Sequence, residues 1–482
     1  MVDLGSNSVR LVVFENGGGG PVTIFNEKAV LRLGRGLQQT GRLNEEGVAA
    51  AHAVMARYGA VARAMNADPF EVLATAAVRD ASNGPAFVAS LEALLPGVPI
   101  RVLPGEEEAA LSADGVLGAI PGADGILADI GGGSLEVMRL QAGKRGQGRT
   151  LRLGVIRLAD RAEGDLARAR AIADADIGAQ AWLSEGANRN LYLVGGAFRA
   201  IARIHMMRTG YPLHIVHHYT AEAEPVRALS AELAEAGRRM LEKLPGASRR
   251  RVEDLPFAAI ALRRLLRATG ARRVVWSANG IREGWFNRLF PLDGDPMLAG
   301  ARDLALRYLR DPALPPALTA WTAPLFPGEA PATARLRECA CWLSDIGSHD
   351  HPDYRAEQAF FRVLRQPGLA LDHPTRVFLA TTLAVRYEAE PDAPFLLPVL
   401  PLMDASSQRR AVQLGLALRV AYTLSAATVD LLRAASVSLA SGRVTLRLTE
   451  GSGVFAGESV TRRLDRLAAS LTSGRASVEV AS

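Results

Sequence analysis

Cysteine is almost missing from this 482-residue chain: Cys339 and Cys341 are the whole complement. Two thiols two residues apart on a helical stretch point in different directions. A disulfide framework is therefore excluded, and a reducing, cytoplasmic setting is expected. Lysine is nearly as scarce. Lys28, Lys144 and Lys243 stand among 56 basic residues, so arginine carries almost all the positive charge. No apolar run reaches the roughly 20 residues of a bilayer span. The opening MVDLGSNSVR has no basic leader and no apolar core, so neither a membrane partner nor a signal peptide is expected. A Gly-x-x-x-x-Gly-Lys phosphate loop is absent too, which removes one common route to nucleotide chemistry.

What is present is a globular composition, 49% hydrophobic and 22% charged. The length suits two to four domains. The formal charge is +6. Arginine forks grip phosphate oxygens two at a time, and a positive field speeds capture of anions. A compositional preference for arginine explains the same excess, and the charge alone suits nucleic acid equally. It becomes informative only beside a phosphate site.

The alternation of short apolar runs and turns predicts strands at 2–4, 9–14 and 22–26, then a helix from Asn44 as N-cap. A short strand at 72–74, a helix capped by Ser82, a strand at 100–103 and a helix from Glu106 follow. The opening then repeats. Ala128-Asp129-Ile130-Gly131-Gly132-Gly133-Ser134-Leu135 matches Val2-Asp3-Leu4-Gly5-Ser6-Asn7-Ser8-Val9. Each has an acid at a strand end, a small-residue turn, a serine and a second strand. Such a repeat predicts two similarly folded lobes. In the second, strands are expected at 125–130, 135–140 and 150–155, with a turn at 143–148. Further strands at 191–194 and 274–277 each run into a helix, the first after Gly195-Gly196 and the second after Asn279-Gly280. Arg199 and Arg203 share one side of the first of these helices. Residues 291–296 and 391–401 read as linkers around a helical region. Two strands, 444–448 and 476–480, mark a small α/β end segment.

The chemistry-bearing residues cluster in these turns. Backbone N–H groups of a small-residue turn can converge on a phosphate oxygen. Ser6, Asn7, Ser8 and Ser134 add side-chain donors. A hairpin turn also favours Gly and Asn, but two such turns with Asp3 and Asp129 at the same offset point to phosphate and Mg²⁺. Glu106, Glu107 and Glu108 open a helix, where the dipole favours carboxylates. Phosphoanhydride hydrolysis also needs a carboxylate to orient and deprotonate water. Arg79 follows a strand end, either paired with Asp80 or neutralising a phosphate. Gly195 and Gly196 form an anion-friendly helix start.

The ordered set becomes specific when read together. Asp3-Leu-Gly-Ser-Asn-Ser, Thr75 to Arg79, Gly105-Glu-Glu-Glu-Ala109, Asp129-Ile-Gly-Gly-Gly-Ser-Leu-Glu136, Val194-Gly-Gly196 and Ser277-Ala-Asn-Gly-Ile-Arg-Glu-Gly284 resemble the Ppx/GppA phosphatase family over residues 1 to about 295. The resemblance implies a duplicated actin-like ATPase (ribonuclease H-like) core, α/β in class, with lobes at 1–119 and 120–295. A helical HD-like domain at 296–395 and a small α/β domain at 396–482 would follow. It implies Glu108 as catalytic base. Gly5, Ser6, Asn7, Ser8, Arg79, Gly131, Gly132, Gly133, Ser134, Gly195 and Gly196 would bind phosphate. Asp3, Asp129 and Glu136 would hold Mg²⁺.

The implied reaction is release of terminal phosphate from inorganic polyphosphate by a homodimer, without nucleic acid as partner. Guanosine pentaphosphate is the close alternative substrate. A kinase on the same fold, and a polyphosphate- or alarmone-binding regulator, are the readings from other classes. An active HD metal site needs a His-Asp pair. Here Ser344 precedes Asp345, with His349, His351 and His373 nearby, so a metal-free scaffold is expected. Arg249–Arg251, Arg263-Arg264 and Arg409-Arg410 are expected to grip phosphates far from the cleaved one.

Overall fold

The computed structural model describes residues 1–472, 474 and 476–481. The chain divides into two compact units. One comprises residues 1–16 and 20–292; the other comprises 17–19 and 293–482.

The first unit holds two sheets of the same plan. In the first, β1 (Val2–Leu4), β2 (Ser8–Asn16), β3 (Pro21–Val30), β4 (Val72–Ala74) and β5 (Ile100–Val102) lie in the order β3-β2-β1-β4-β5. The first three strands are antiparallel, and β1, β4 and β5 are parallel. The second contains β6 (Gly125–Ile130), β7 (Leu135–Gln141), β8 (Lys144–Leu151), β9 (Asn190–Val194), β10 (Tyr219–Glu222) and β11 (Arg273–Trp276). Its order, β8-β7-β6-β9-β11-β10, repeats the first sheet and adds β10 as an antiparallel edge. This twice-used order, two hairpins running into a parallel pair, is the duplicated ribonuclease H-like plan of the actin-like fold.

Each lobe surrounds its own core. Val2, Leu4, Val9, Leu11, Met55 and Tyr58 are buried in the first. In the second, the Leu255–Thr269 helix buries Phe257, Ile260, Leu262 and Leu265 in one cluster with Ile126, Leu191 and Val274. Fully burying each such side chain is worth about 1.5–3 kcal/mol, and this anchors the strand ends where the turns emerge. The Glu45–Ala64 helix starts at Asn44, whose side chain accepts from the Gly47 N–H, as its sequence predicts.

Several expectations are corrected. The helix after Arg79 begins at Gly84 with Asn83 as N-cap; Ser82 instead donates to the Gly41 carbonyl. The chain turns at Ala142 and Gly143, both with positive φ, and β8 runs through 144–151. Residue 155 begins a helix, Val155–Arg161, rather than ending a strand. Glycine-rich 143–148 looks like a turn by composition, but Gly146 and Gly148 face β7 in the ladder, where β-carbons would crowd Arg139 and Met138.

The second unit is helical from Pro296 to Arg386. Residues 391–401 form a run of turns that buries Leu396 and Val399. Its sheet has three strands: β12 (Ala435–Ala440), missed in the sequence, pairs with β13 (Arg443–Leu448), which pairs with β14 (Ala476–Val480). Asp345 is 1% exposed, and both its oxygens accept from Arg310, at 2.7 and 2.9 Å. Ser344 bonds Tyr422 at 2.8 Å. His349 and His351 are exposed, whereas His373 is buried. Cys339 and Cys341 are buried and unbridged. Among the described residues no helix is long and apolar enough to cross a membrane.

Candidate active site

The two small-residue turns are built alike. Gly5 N–H donates to Ser8 O at 3.1 Å, and Gly131 N–H donates to Ser134 O at 2.9 Å. Behind the first, Leu31, Arg32 and Gly34 N–H groups hold the Asn7 and Ser6 carbonyls. Behind the second, Val155, Ile156 and Arg157 N–H groups hold those of Gly131 and Gly132. With carbonyls engaged at the back, amide donors and small side chains are left for the front. Glycine is required by crowding. A β-carbon on Gly133 would lie 2.6 Å from Ser6 Oγ, so the turns of the two lobes nearly touch.

Both turns line one cavity of about 160 Å³, together with Gly195 and Gly196. Gly195 has φ +105°, and a β-carbon there would lie 2.3 Å from Ile130 O. Only glycine lets β9 turn this close to β6.

Four carboxyls face the cavity: Asp3, Glu108, Asp129 and Glu136. Strand register sets their neighbours. Asp3 pairs across with Arg10, and Asp129 pairs across with Glu136. Arg10 and Glu136 thus hold equivalent places in the repeat with opposite charge. Glu108 is the one member of its glutamate triplet turned inward, at 5% exposure; Glu106 is exposed and Glu107 pairs with Arg101. Burial pushes the Glu108 carboxyl up to about 7, against the pull of Arg79, with Asp129 and Asp3 adding to the rise. Burial, then Glu108 and Asp129, raise Glu136 well above the carboxylate range. Burial also raises Asp129, opposed by the Ser112 hydroxyl, which donates to it at 2.5 Å, and by Arg199. Asp3 is raised by burial and pulled down by Arg282, 3.9 Å away, and by Arg10.

The opposing wall is cationic. Arg10, Lys28, Arg199, Arg251 and Arg282 line the same cavity. Among the described residues no carboxylate lies within salt-bridge distance of Arg10, Lys28 or Arg199. Burial lowers Lys28 to about 8, with Arg251, Arg10 and Arg199 adding to the drop. Arg251 pairs with Asp254 at 3.0 Å and Arg282 lies 3.9 Å from Asp3, so five clustered cations face few counter-charges, an arrangement that suits a polyanion.

Arg79 pairs with Asp80 at 3.5 Å, one of its two expected places. It lies outside the cavity wall, donating from Nη1 to Glu108 Oε2 at 3.0 Å and to Leu103 O at 2.7 Å. It holds the Glu108 carboxylate, which lines the cavity.

The family model for the Ppx/GppA phosphatases matches residues 12–292, more than half of the chain, and that for the exopolyphosphatase C-terminal region matches 297–478. The chain belongs to the Ppx/GppA phosphatase family. Exopolyphosphatase 2 of Mycobacterium tuberculosis is 35% identical over 147 residues, 28% of this chain and 46% of that protein. The chain thus spans about half the length of the curated relatives it matches. An exopolyphosphatase structure from Cytophaga hutchinsonii superposes with a TM-score of 0.54 at 21% identity, covering 60% of this chain and 96% of that one. The Aquifex aeolicus Ppx/GppA family member gives 0.51 at 19% identity, covering 61% and 98%. At these identities the structures support the fold.

Sequence reasoning missed much of the cationic wall of this Ppx/GppA member. Arg10 was readable as the repeat partner of Glu136. Arg282 stood inside a quoted motif without a role. Lys28 gave no local signal. Of the arginine stretches expected to grip distant phosphates, Arg251 reaches the cavity, whereas Arg264 pairs with Asp174 and Arg410 with Glu329. The side chain of Arg250 lies outside the described residues.

Proposed function

We propose that this chain removes the terminal phosphate of inorganic polyphosphate, with Glu108 as general base. The observation that carries this is one cavity holding a buried carboxyl poised near neutrality, two amide-lined turns and five cations. The turn residues Ser6, Asn7 and Ser134 hold the oxygens of the terminal phosphoryl group. Glu108 accepts the proton as the water oxygen bonds phosphorus and the bridging P–O bond breaks. Arg10, Lys28, Arg199, Arg251 and Arg282 hold the phosphates that follow. Arg79 keeps Glu108 oriented.

The residues fit a divalent cation. Glu136 Oε1 is buried and without a hydrogen-bond partner, and the crowding of Glu108, Asp129 and Glu136 leaves negative charge to offset. Among the described residues no group of three acidic, histidine or cysteine side chains forms a complete cation site. Mg²⁺ suits this, because it is usually bound by one or two carboxylates, with water and substrate phosphate completing its shell. Asp129 and Glu136 would hold it, with Asp3, already offset by Arg282 and Arg10, reaching it through water. When bound, Mg²⁺ would offset charge on the phosphate oxygens.

The test is phosphate release from long polyphosphate and from guanosine pentaphosphate, side by side, with and without Mg²⁺. Release from polyphosphate that needs Mg²⁺ supports the reading. Preference for guanosine pentaphosphate would reassign the substrate, and release from neither would refute the activity. A cytoplasmic location belongs to the same reading and rests on the two unbridged cysteines. A homodimer rests on family membership alone.

A further inference from the structure

Asp80 and Arg157 take no part in the cavity wall, yet they join its two halves. Arg157 lies in the Val155–Arg161 helix of the second lobe and is 8% exposed. Its Nη1 donates to Asp80 Oδ2 of the first lobe at 2.6 Å. The other Asp80 oxygen lies 3.5 Å from Arg79 Nε. Arg79 in turn donates to Glu108. At its other end Arg157 is fixed to the second turn: its backbone N–H donates to Gly132 O at 3.1 Å. The attachment is close. A β-carbon on Gly154, one residue before this helix, would lie 2.3 Å from the Ser134 nitrogen.

We propose that Asp80 and Arg157 are positioning residues that hold Arg79 against Glu108, tying the guanidinium that orients the general base to the phosphate turn of the second lobe. The proposal rests on the exopolyphosphatase reading above. The alternatives for Arg79 narrow its freedom little. Its guanidinium has one backbone acceptor, Leu103 O, and without Asp80 nothing else among the described residues engages its Nε side. Asp80 without Arg157 would lose the contact that fixes its place, and with it the hold on the Nε side of Arg79. The buried Arg157 fork satisfies Asp80 from the far side, so Arg79 remains shared. A phosphate seated on the 131–134 turn would therefore find the base already set.

The experiment compares Arg157→Met, Arg157→Lys and the isosteric Asp80→Asn in the full chain. Steady-state release from polyphosphate should show kcat reduced about tenfold or more, since small misplacements of a catalytic group are costly. KM should stay within about twofold, because the contacts made equally to ground and transition states remain. Arg157→Lys should recover part of kcat. Arg157→Met added to Glu108→Gln should cause no further loss, because the relay acts only through Glu108. An additive loss, or a change confined to KM, overturns the proposal. Glu108→Gln with wild-type turnover would instead sink the base assignment. Crystal structures of the variants decide the matter without activity. Arg79 should leave Glu108 in Asp80→Asn, and an unchanged 3.0 Å bond there overturns the proposal even if the wild type releases no phosphate.

Discussion

Glu108 combines a buried position with a guanidinium partner, and both can be tested. Glu108→Gln keeps the shape and loses the proton acceptor; phosphate release should fall about 10²–10⁴-fold while polyphosphate binding, followed by filter retention, persists. The pH dependence has a definite sign. The base works only when ionised, so the rate falls as pH drops through its pKa. With burial raising that value to about 7, and a nearby cation drawing it down, the acid limb should lie at or below about 7. It should move to lower pH as Mg²⁺ rises. A limb that ignores Mg²⁺ would separate the base from the cation. Asp129→Asn and Glu136→Gln should each raise the Mg²⁺ concentration for half-maximal rate, and an unchanged dependence in both would make these residues structural. Glu108, Asp129 and both turns were legible in the sequence because acids and small residues at strand ends are local signals. The meeting of Lys28 with Arg251 was not. They meet across more than 200 positions of chain in the wall of one cavity, a juxtaposition which no window of sequence contains.

The strands and helices that carry the site depend on close backbone approach at a few glycines. The Gly105–Ala119 helix, which starts with the base, packs on the Ile281–Leu289 helix, which carries Arg282. A β-carbon on Gly284 would lie 1.8 Å from Leu111 O, and one on Gly115 would lie 2.1 Å from Gly280 O. Gly284→Ala should cost about 1–3 kcal/mol or more through overpacking, read as a lower urea midpoint. Gly178 ends the Leu166–Gly178 helix with nothing within 4 Å. Gly178→Ala should be neutral or stabilise by up to about 1 kcal/mol. Equal effects would mean that the helix contact is not the constraint. The same elements explain where reading the chain stopped short. The internal repeat was visible because both lobes use an acid, a small turn and a serine in the same order. The added strand β10 was invisible, since Tyr219-Thr-Ala-Glu222 is too short and mixed to carry a period. Strand β8 was displaced because its glycines mimic a turn.

At the scale of the molecule, all residues assigned to chemistry lie in the first compact unit. A truncated chain of residues 1–295, if it folds, should release phosphate from short polyphosphates. If the second unit adds cationic contacts, the full chain should outperform it on long polymers at low salt and lose that advantage as salt rises. Equal rates on long polymers would give the second unit another task. Elemental analysis of the purified protein should find no stoichiometric iron, manganese or zinc in residues 296–390, because Arg310 already occupies both oxygens of Asp345; a bound equivalent there would overturn this. The exchange of Arg10 for Glu136 at matching places in the repeat has its own consequence. A symmetric duplication would make a channel that a long polymer could thread in either direction. Here one bank attracts phosphate and the other repels it unless a cation or a proton intervenes. On the same reading, a polymer would advance along the attractive bank and meet a wall of carboxylates where Glu108 would hold the attacking water. Its interior bonds would not pass that wall without bringing more negative charge against it. On the exopolyphosphatase reading, a cavity of this polarity would admit an end and stop it, so cleavage one residue at a time would follow from a sign change at a single repeated position.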